Sequence, residues 1–280
     1  MLGGARSGGL PGSKRENTRT FVRSLLFLGT GPGQPVKGRF CSSIVLRTGA
    51  ASVLIDAGEP CSQRLLEHEV PVADLDAVLI THGHSDHIGG LPMLLQSAWL
   101  APRSKPLKIF LPRELIAPLS SWLDAVYLPP RLLGFPLEFV PWECGVKSEV
   151  AVDVFARPFP TTHLEGLRRI IEPDAAGRFK VFGLDADCAG LRVVFSSDLG
   201  TPEDLKDVLR RPIDVLVCEL SHFAPDDLFG VLRGQSIGRL VFNHLAPDLA
   251  GREEDLARLA RKALPETEIV VARDGDSMAF

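Results

Sequence analysis

The sequence predicts an α/β protein in which two β-sheets pack against each other and helices cover their outer faces. Short apolar runs alternate with turn signals along nearly the whole chain of 280 residues. Strand-like runs come first, and strands then alternate with helices in both halves, which is the pattern of such a fold. The composition does not change between the halves, and no repeat of close sequence identity is present.

The composition is that of an ordinary globular protein, with 45% hydrophobic and 24% charged residues. This length suits one large domain or two small ones. The net charge of -4 provides no basic excess that would neutralise nucleic-acid phosphates, although a local basic patch can lie on an acidic protein. The sequence therefore carries no strong signature of nucleic-acid binding.

Cysteine usage and the N terminus bear on the compartment. The five cysteines are scattered and contain no Cys-x-x-Cys pair, which predicts buried free thiols in a reducing, cytoplasmic environment. Residues 1–20 are rich in Gly, Ser and Arg and lack the apolar stretch of a secretory signal, so we predict a disordered tail before a folded domain at 21–280. No run reaches the ~18 apolar residues of a membrane span, and we expect no membrane partner.

The first half is predicted to begin with strands. A strand over residues 22–28 ends at the glycine-rich turn 29–33, and residues 43–47 and 52–56 form a hairpin. Four further elements alternate: a helix at 61–68, a buried strand at 77–80, a helix at 91–100 and a strand at 107–111. Residues 112–141 are rich in proline and aromatic side chains, which predicts irregular backbone with short helices.

The second half restarts the strand pattern. Strands are predicted at 150–155, 179–184 and 191–196, the last two antiparallel across 185–190. A helix over 202–210 has Thr201 as its cap and Pro202 at its first position. The remaining elements are strand 213–219, helix 224–232, strand 240–242, helix 252–264 and strand 268–271, with 277–280 expected to pair with the last strand.

The most informative stretch is the turn Thr81-His82-Gly83-His84-Ser85-Asp86-His87, between the strand at 77–80 and the helix at 91–100. Three histidines and one aspartate fall within six residues, so a turn can aim four ligands into one small volume. His82 and His84 alternate and can point the same way, while Asp86 and His87 can face a second ion. Four ligands are too few for two ions, so others must come from distant parts of the chain.

Three polar residues at predicted strand ends are candidates for the missing ligands. His163 ends a strand-like run, Asp198 follows the strand at 191–196, and His244 follows the strand at 240–242. Strand ends are where sites are usually assembled in α/β proteins. Zinc takes nitrogen and oxygen ligands, and its catalytic sites keep one position open for water.

The order of these residues, with Asp56 before them, resembles the five motifs of the metallo-β-lactamase-fold hydrolases, over about residues 22–280. The resemblance implies a four-layer α/β/β/α sandwich with the site at one edge of the sheets. It also implies two divalent ions, Zn²⁺ first, with Mn²⁺ or Fe²⁺ as alternatives. The implied ligands are His82, His84 and His163 for one ion, Asp86, His87 and His244 for the other, and Asp198 as a bridge. Asp56 and Glu219 would lie behind the ligands, where Asp56 orients a histidine by hydrogen bond.

Details of the motifs narrow the branch of this family. His84 stands where the diiron flavoprotein relatives have glutamate, which favours hydrolysis over redox chemistry. Asp198 stands where many β-lactamases carry cysteine or serine, and a bridging carboxylate suits the phosphodiesterase, lactonase and arylsulfatase branches. The motif Phe27-Leu28-Gly29-Thr30-Gly31 and the segment leading to Asp198 look most like the ribonuclease Z and arylsulfatase branch.

Two departures from ribonuclease Z are visible. Cys218 replaces the histidine that precedes the glutamate at the position of Glu219, while His222 lies a few residues further on. Only 34 residues, 164–197, separate His163 from Asp198. We therefore expect that the tRNA-gripping arm inserted there in ribonuclease Z enzymes is absent.

The implied mechanism uses a hydroxide that bridges the two ions, because divalent metals lower the pKa of bound water to about 7. The hydroxide would attack phosphorus or a carbonyl carbon. Asp86 is expected to accept a proton from the nucleophile. His222 is expected to protonate the leaving group or to stabilise charge on a non-bridging oxygen.

The leading prediction is a metal-dependent phosphodiesterase that acts on a small molecule or a short nucleotide. Three alternatives use the same site: hydrolysis of carboxylic esters, lactones, sulfates or β-lactams; a ribonuclease Z-type tRNA 3′ endonuclease; and metal or cofactor binding without turnover. The sequence says little about the substrate, because substrate loops vary freely on one scaffold. A homodimer is expected only at the level of the family.

Overall fold

A computed structural model of the protein describes residues 23–172, 174 and 177–280. Two mixed seven-stranded sheets pack face to face with helices outside them, which confirms the predicted α/β fold. The tail predicted at residues 1–20 lies outside the described residues. None of the helices in the described ranges is long and apolar enough to cross a membrane.

The first sheet comes from the N-terminal half and adds one strand from the C terminus. Its strands, in spatial order, are β14 (Ser277–Ala279), β1 (Ser24–Gly29), β2 (Ser43–Arg47), β3 (Ser52–Ile55), β4 (Ala77–Leu79), β5 (Leu107–Leu111) and β6 (Leu137–Pro141). Pairing is antiparallel from β14 to β3 and parallel from β3 to β6. Its helices are α1 (Cys61–Glu67), α2 (Ser85–Ile88), α3 (Leu91–Leu100) and α4 (Ile116–Ala125).

The second sheet comes from the C-terminal half. Its strands, in spatial order, are β13 (Glu268–Val271), β12 (Ile237–Leu245), β11 (Ile213–Leu220), β10 (Leu191–Phe195), β9 (Phe182–Cys188), β8 (Val154–Pro160) and β7 (Ser148–Ala151). Pairing is parallel from β13 to β10 and antiparallel from β10 to β7. The helices of this half are α5 (Glu165–Ile171), α6 (Pro225–Leu232) and α7 (Glu253–Ala263).

Three buried apolar layers hold the four structural layers together. Phe27 of β1 points between the sheets, whereas its neighbour Leu28 points towards the helices of the first sheet, because side chains alternate along a strand. Phe242 of β12 packs on the far side of the second sheet with Phe229 of α6 and Leu256 of α7. Since both faces of each sheet are covered, the central strands are continuous apolar runs.

The sheets also determine where polar strand ends meet. Strands β3 and β4 run parallel in the first sheet, and β10, β11 and β12 run parallel in the second. The carboxyl ends of parallel strands lie at one edge of a sheet. The residues that follow these strands therefore gather at one edge of the sandwich, as expected for the candidate site.

Two strand predictions in the second half are wrong in detail. Residues 150–155 do not form one strand, because the chain turns between β7 and β8 with Asp153 in the left-handed region at φ 59°. The strand predicted at 179–184 instead covers Phe182–Cys188, and the turn shrinks to Ala189 and Gly190, both with positive φ. Asp185, which was placed in the predicted turn 185–190, is part of β9 and is paired with Arg192 on the neighbouring strand.

The C-terminal strand pairs with a different partner from the predicted one. Residues Ser277–Ala279 form antiparallel pairs with β1, not with Glu268–Val271. Gly275, at φ 92°, donates its backbone N–H to the backbone oxygen of Phe27. The chain passes at this point from the second sheet to the first. Nothing in the local sequence indicates that this C-terminal strand leaves the second sheet and pairs with a strand of the first sheet.

Two helical predictions also change. The helix predicted at 202–210 is two short 3₁₀ turns, Pro202–Leu205 and Val208–Arg210, although Thr201 does cap the first of them. The Asp204 side chain accepts in return from the backbone N–H of Thr201, and it also accepts from Thr162, which lies outside this turn. The segment 112–141 is more regular than predicted, because it contains the ten-residue helix α4 and the strand β6.

A buried ion pair ties the loop after β1 to helix α7. Arg39 donates to Glu253 at 2.8 Å, and it also donates to Thr30 and to the backbone oxygen of Ala272. Burial by itself raises the pKa of Glu253, but hydrogen bonds from Arg39 and from backbone N–H groups outweigh it and lower the pKa to about 2. The pair therefore stabilises the folded state wherever Glu253 is ionised.

We expect Glu253→Gln to destabilise the protein at pH 7 by up to about 3 kcal/mol, the value of a pKa difference of this size. The folded pKa is below the ordinary value of 4.5, so the stabilisation is complete above about pH 5 and is lost as the pH falls towards 2. Urea unfolding at pH 7 and pH 3 should show that more than half of the difference has gone at pH 3. Glu254→Gln, at an exposed neighbouring position, is the control, and an equal deficit at both pH values would contradict the prediction.

Candidate metal centre

The structure brings together all seven side chains that the sequence predicts as metal ligands. They form two groups of ligand atoms, within each of which the atoms lie within 4.8 Å of one another. The first group contains His82, His84, His163 and Asp198, and the second contains Asp86, His87 and His244. This division is the one that the family resemblance implies; the binding of ions by these residues stays a prediction.

In the first group the ligand atoms come from three loops. His82 and His84 follow β4, His163 follows β8, and Asp198 follows β10. His163 Nε2 lies 3.2 Å from His84 Nδ1 and 3.6 Å from Asp198 Oδ2. His82 Nε2 lies 3.8 Å from the same carboxylate oxygen.

The second group uses the other oxygen of Asp198. His87 Nε2 lies 3.3 Å from Asp198 Oδ1, and His244 Nε2 lies 3.4 Å from it. Asp86 Oδ2 is 3.4 Å from His87 Nε2 and 3.6 Å from His244 Nε2. One buried carboxylate thus faces both groups, with one oxygen directed to each.

These spacings fit a pair of divalent ions. Neighbouring ligand atoms around a tetrahedral ion with bonds of about 2.0–2.2 Å lie roughly 3.3–3.6 Å apart, close to the separations in both groups. The buried atoms His82 Nε2, His87 Nε2, His244 Nε2 and Asp198 Oδ1 have no hydrogen-bond partner within the described part of the chain. Buried polar atoms are normally satisfied, so four of them converging on one centre indicate ligands of a cation.

The protonation states of the first group also suit a cation. Burial lowers the pKa of His82 well below its ordinary value and lowers the pKa of His84. Burial likewise lowers the pKa of His163 to about 4. These imidazoles are therefore neutral at pH 7 and keep a lone pair for a metal.

In the second group, His87 lies against two buried carboxylates. Burial alone lowers the pKa of His87, but the carboxylates of Asp198 and Asp56 outweigh it and raise that pKa well above its ordinary value. The same charges act in reverse on Asp198: burial raises its pKa, whereas His87 and His244 hold it well below the usual range. A proton on His87 thus competes with a cation for the same buried position.

Asp56 orients ligands from both groups, as the sequence predicts for a residue behind them. Its Oδ2 accepts a hydrogen bond of 2.7 Å from His87 Nδ1, which directs Nε2 of that ring towards Asp198. It also accepts from the Thr81 hydroxyl at 3.0 Å, and that hydroxyl lies 3.1 Å from His82 Nδ1. Because the hydroxyl donates to Asp56, it accepts the proton of His82 Nδ1 and leaves Nε2 of His82 as the free ligand atom.

Replacing Asp56 by Asn should weaken metal binding about 10–100-fold, because partners of ligand histidines contribute this much to metal affinity. The amide has one acceptor oxygen, so it cannot serve both the Oδ2 position, which accepts from His87 and the Thr81 hydroxyl, and the Oδ1 position, which accepts from the Thr81 backbone N–H. Competition with a chromophoric chelator would measure the affinity. Asp124→Asn on the exposed side of α4 is the matched control, and equal affinities for the two variants would refute the role of Asp56.

His222 and Glu219 form a second hydrogen-bonded unit beside the predicted ligands. Glu219 is buried and accepts three hydrogen bonds, from Leu199 N at 2.8 Å, Ser221 N at 2.7 Å and His222 Nδ1 at 2.8 Å. His222 Nε2 then lies 4.0 Å from Asp198 Oδ2, and its ring centroid is 4.4 Å from that of His163. Burial lowers the pKa of His222, but Glu219 and Asp198 outweigh it and raise that pKa, which favours the protonated ring.

Cys218 is not part of this unit. Its side chain points into the apolar layer between the second sheet and its helices, where burial raises the thiol pKa. The position of the family's histidine is therefore occupied by a core residue, and His222 is the histidine that reaches the centre.

Three residues at the centre have strained backbone. Asp56, Ser197 and His244 all adopt the left-handed region, with φ of 55°, 54° and 50°. Such conformations cost about 1–3 kcal/mol each in residues other than glycine and cluster at functional sites. Each of the three lies at or next to a residue of the predicted site, where the chain turns sharply to direct a side chain.

Sequence reasoning missed two contributors, Thr81 and Asp204, whereas Gly33 lies in the turn 29–33, whose glycines can let backbone approach the site. Thr81 links Asp56 to His82, and its place directly before the first histidine was the available signal. Gly33 approaches the centre so closely that a β-carbon there would lie 3.3 Å from Asp86 Oδ2. Asp204 bonds to the loops that carry His163 and Asp198, and nothing in its local pattern except a helix cap marked it.

Comparisons with known proteins agree with this geometry. YhfI from Bacillus subtilis, a metallo-beta-lactamase fold protein, superimposes with a TM-score of 0.74 at 17% identity, over 93% of this chain and 100% of that one. A diphosphatase from the PhnP family superimposes with a TM-score of 0.70 at 19% identity, over 92% and 98%. The family model described as anti-Pycsar protein Apyc1 matches residues 23–127. The fold and site thus define a protein of the metallo-β-lactamase-fold class.

Sequence similarity identifies the family within this class. Ribonuclease Z of Pseudomonas putida F1 is 32% identical over 232 residues, which cover 76% of this chain and 70% of that enzyme. The chain belongs to the ribonuclease Z family, a family of hydrolases. The resemblance stated from the motifs is thereby confirmed.

Proposed function

We propose that this protein is a dinuclear metal-dependent phosphodiesterase whose substrate is a small molecule or a short nucleotide. The observation that carries the proposal is the placement of Asp198, whose two oxygens face two separate groups of ligand atoms. A pair of ions suits phosphodiesters, because both the attacking and the leaving oxygen gain charge during the displacement. The ribonuclease relatives, by their name, act on phosphodiester bonds.

The ligand roles in this proposal follow the two groups. His82, His84 and His163 would hold one ion, Asp86, His87 and His244 the other, and Asp198 would hold both. Zn²⁺ fits the nitrogen-rich donor set, and Mn²⁺ and Fe²⁺ are the alternatives. When bound, the ions supply a nucleophile at neutral pH and polarise the scissile bond.

The chain's own residues have separate tasks around the reacting atoms. Asp86 lies at the centre, where a β-carbon at Gly33 would be 3.3 Å from its Oδ2, and it would take a proton from the nucleophile. His222, fixed by Glu219 through Nδ1, presents Nε2 towards the centre and would donate a proton to the leaving oxygen.

A short substrate is favoured by the segment between His163 and Asp198. Its described part contains only α5, β9 and β10 and connecting turns, so it offers no arm for a folded RNA. Against this, the 32% identity to a ribonuclease Z favours a tRNA 3′ endonuclease as the second candidate. The two candidates differ in substrate size and share the chemistry at the metal centre.

A metal-loaded assay panel separates the candidates. It should contain a bis-aryl phosphate, cyclic nucleotides, a tRNA precursor with a 3′ trailer, a lactone and a cephalosporin. We expect turnover of the first two and its loss in a His82→Ala/His84→Ala variant. Cleavage of the precursor alone would establish the endonuclease, turnover of only lactone or cephalosporin would establish carbonyl chemistry, and two bound ions with no turnover would indicate a binding protein.

A further inference from the structure

Asp204 joins the two loops that bring His163 and Asp198 to the centre. Its Oδ2 accepts from Thr162 N at 2.9 Å, directly before His163, and from Gly200 N at 3.0 Å, two residues after Asp198. The Thr162 hydroxyl donates to the same carboxylate at 3.0 Å. A single half-buried side chain thus holds the backbone just before one predicted ligand and just after another.

The two loops are built to approach closely at this point. A β-carbon at Gly200 would lie 2.3 Å from the Thr162 hydroxyl oxygen and 2.6 Å from the Thr162 backbone carbon. Glycine is therefore required at position 200 for the contact to form. A second bond between the same loops runs from the Thr161 hydroxyl to the backbone oxygen of Asp198, at 2.7 Å.

The other predicted ligands depend on different supports. Asp56 accepts from His87 and Thr81, and Glu219 accepts from Leu199 and His222. None of the hydrogen bonds described for Asp204 reaches the turn that carries His82, His84, Asp86 and His87. Loss of Asp204 therefore loosens His163 relative to its group while Glu219 still holds the backbone next to Asp198.

We propose that Asp204 is a positioning residue that fixes His163 against Asp198 and so determines the affinity of the first group for its ion. The inference rests on the proposed metal centre and is independent of the substrate. Its premise is the distance from His163 Nε2 to Asp198 Oδ2, 3.6 Å, which the pairing of these two loops helps to maintain. Partners behind metal ligands contribute this kind of control because they restrict the ligand's orientation.

The test is a Co²⁺ titration of the metal-free full-length protein, followed by visible absorption, with competition by a chelator. For wild type we expect two ions per chain. For Asp204→Ala we expect one ion to bind as in wild type and the other about 10–100-fold more weakly. Thr162→Val, which removes one donor and keeps the backbone N–H, should weaken the same ion by a smaller factor.

Asp207→Ala is the matched control, since Asp207 is an exposed aspartate three residues further on. If Asp204→Ala does not fold, Asp204→Asn and Thr162→Val carry the test. Unchanged affinities, or equal weakening of both ions, would overturn the role of Asp204. If the wild type binds two ions but hydrolyses no phosphodiester, the proposed function is refuted and this inference stands. If the wild type binds no ions, both are refuted.

Discussion

Asp198→Ala is expected to remove both metal ions and at least about three orders of magnitude of turnover. The carboxylate faces both groups, with 3.3–3.8 Å from its oxygens to four histidine nitrogens. Metal catalysis of this kind contributes several kcal/mol to transition-state stabilisation, and each ~1.4 kcal/mol is a factor of ten in rate. Replacing a predicted ligand that belongs to only one group, such as His163, should remove one ion before the other.

Elemental analysis of the purified variant, together with turnover of a bis-aryl phosphate, measures both effects. Asp187→Ala is the control, because Asp187 is an exposed aspartate of β9 that pairs with Lys147 away from the centre. The variant also leaves the His87 charge without its strongest partner, so the metal-free protein should be less stable at acidic pH. Two ions retained in Asp198→Ala would show that the carboxylate does not bridge.

The local part of the site was predictable from the sequence, because its signal is local. His82, His84, Asp86 and His87 occupy one turn whose spacing fixes their directions, and no long-range information is needed to group them. His163, Asp198 and His244 could be selected only because they follow apolar runs and the chain contains few histidines. The parallel strands β10 and β12 bring Asp198 and His244 to one edge, and β8 brings His163 there because it runs in the same direction as β10, with the antiparallel β9 between them. This placement is a property of the fold and not of any one motif.

What sequence reasoning missed depends on contacts between distant segments. Asp204 forms a cap within its own 3₁₀ turn, and that local role concealed the bonds to Thr162, 42 residues away in sequence. The pairing of Ser277–Ala279 with β1 likewise requires the chain to cross from one sheet to the other. In β9, Asp185 was placed in the predicted turn 185–190, but it is paired with Arg192 on the adjacent strand. In each case a tertiary partner overrides the local pattern.

His222→Ala is expected to lower kcat about 10²–10⁴-fold on substrates with a poor leaving group, the usual contribution of a positioned general acid. The ring is placed for this role by Glu219, which accepts from Nδ1 and directs Nε2 towards the centre. The metal content should remain at two ions, because the seven predicted ligands are intact. This outcome distinguishes His222 from Asp198, whose loss removes the ions themselves.

A comparison of two substrates with different leaving groups shows whether His222 donates a proton or only supplies positive charge. A cyclic nucleotide releases an alkoxide, which needs a proton in the transition state, whereas a bis-(nitrophenyl) phosphate releases a stable anion that needs none. His222→Ala should therefore lower kcat on the cyclic nucleotide by at least about tenfold more than on the aryl ester. Glu219→Gln should also lower kcat on both substrates, but by smaller factors, since the His222 ring remains. Equal losses on the two substrates would instead assign His222 to stabilising charge on a non-bridging oxygen, because that charge develops irrespective of the leaving group.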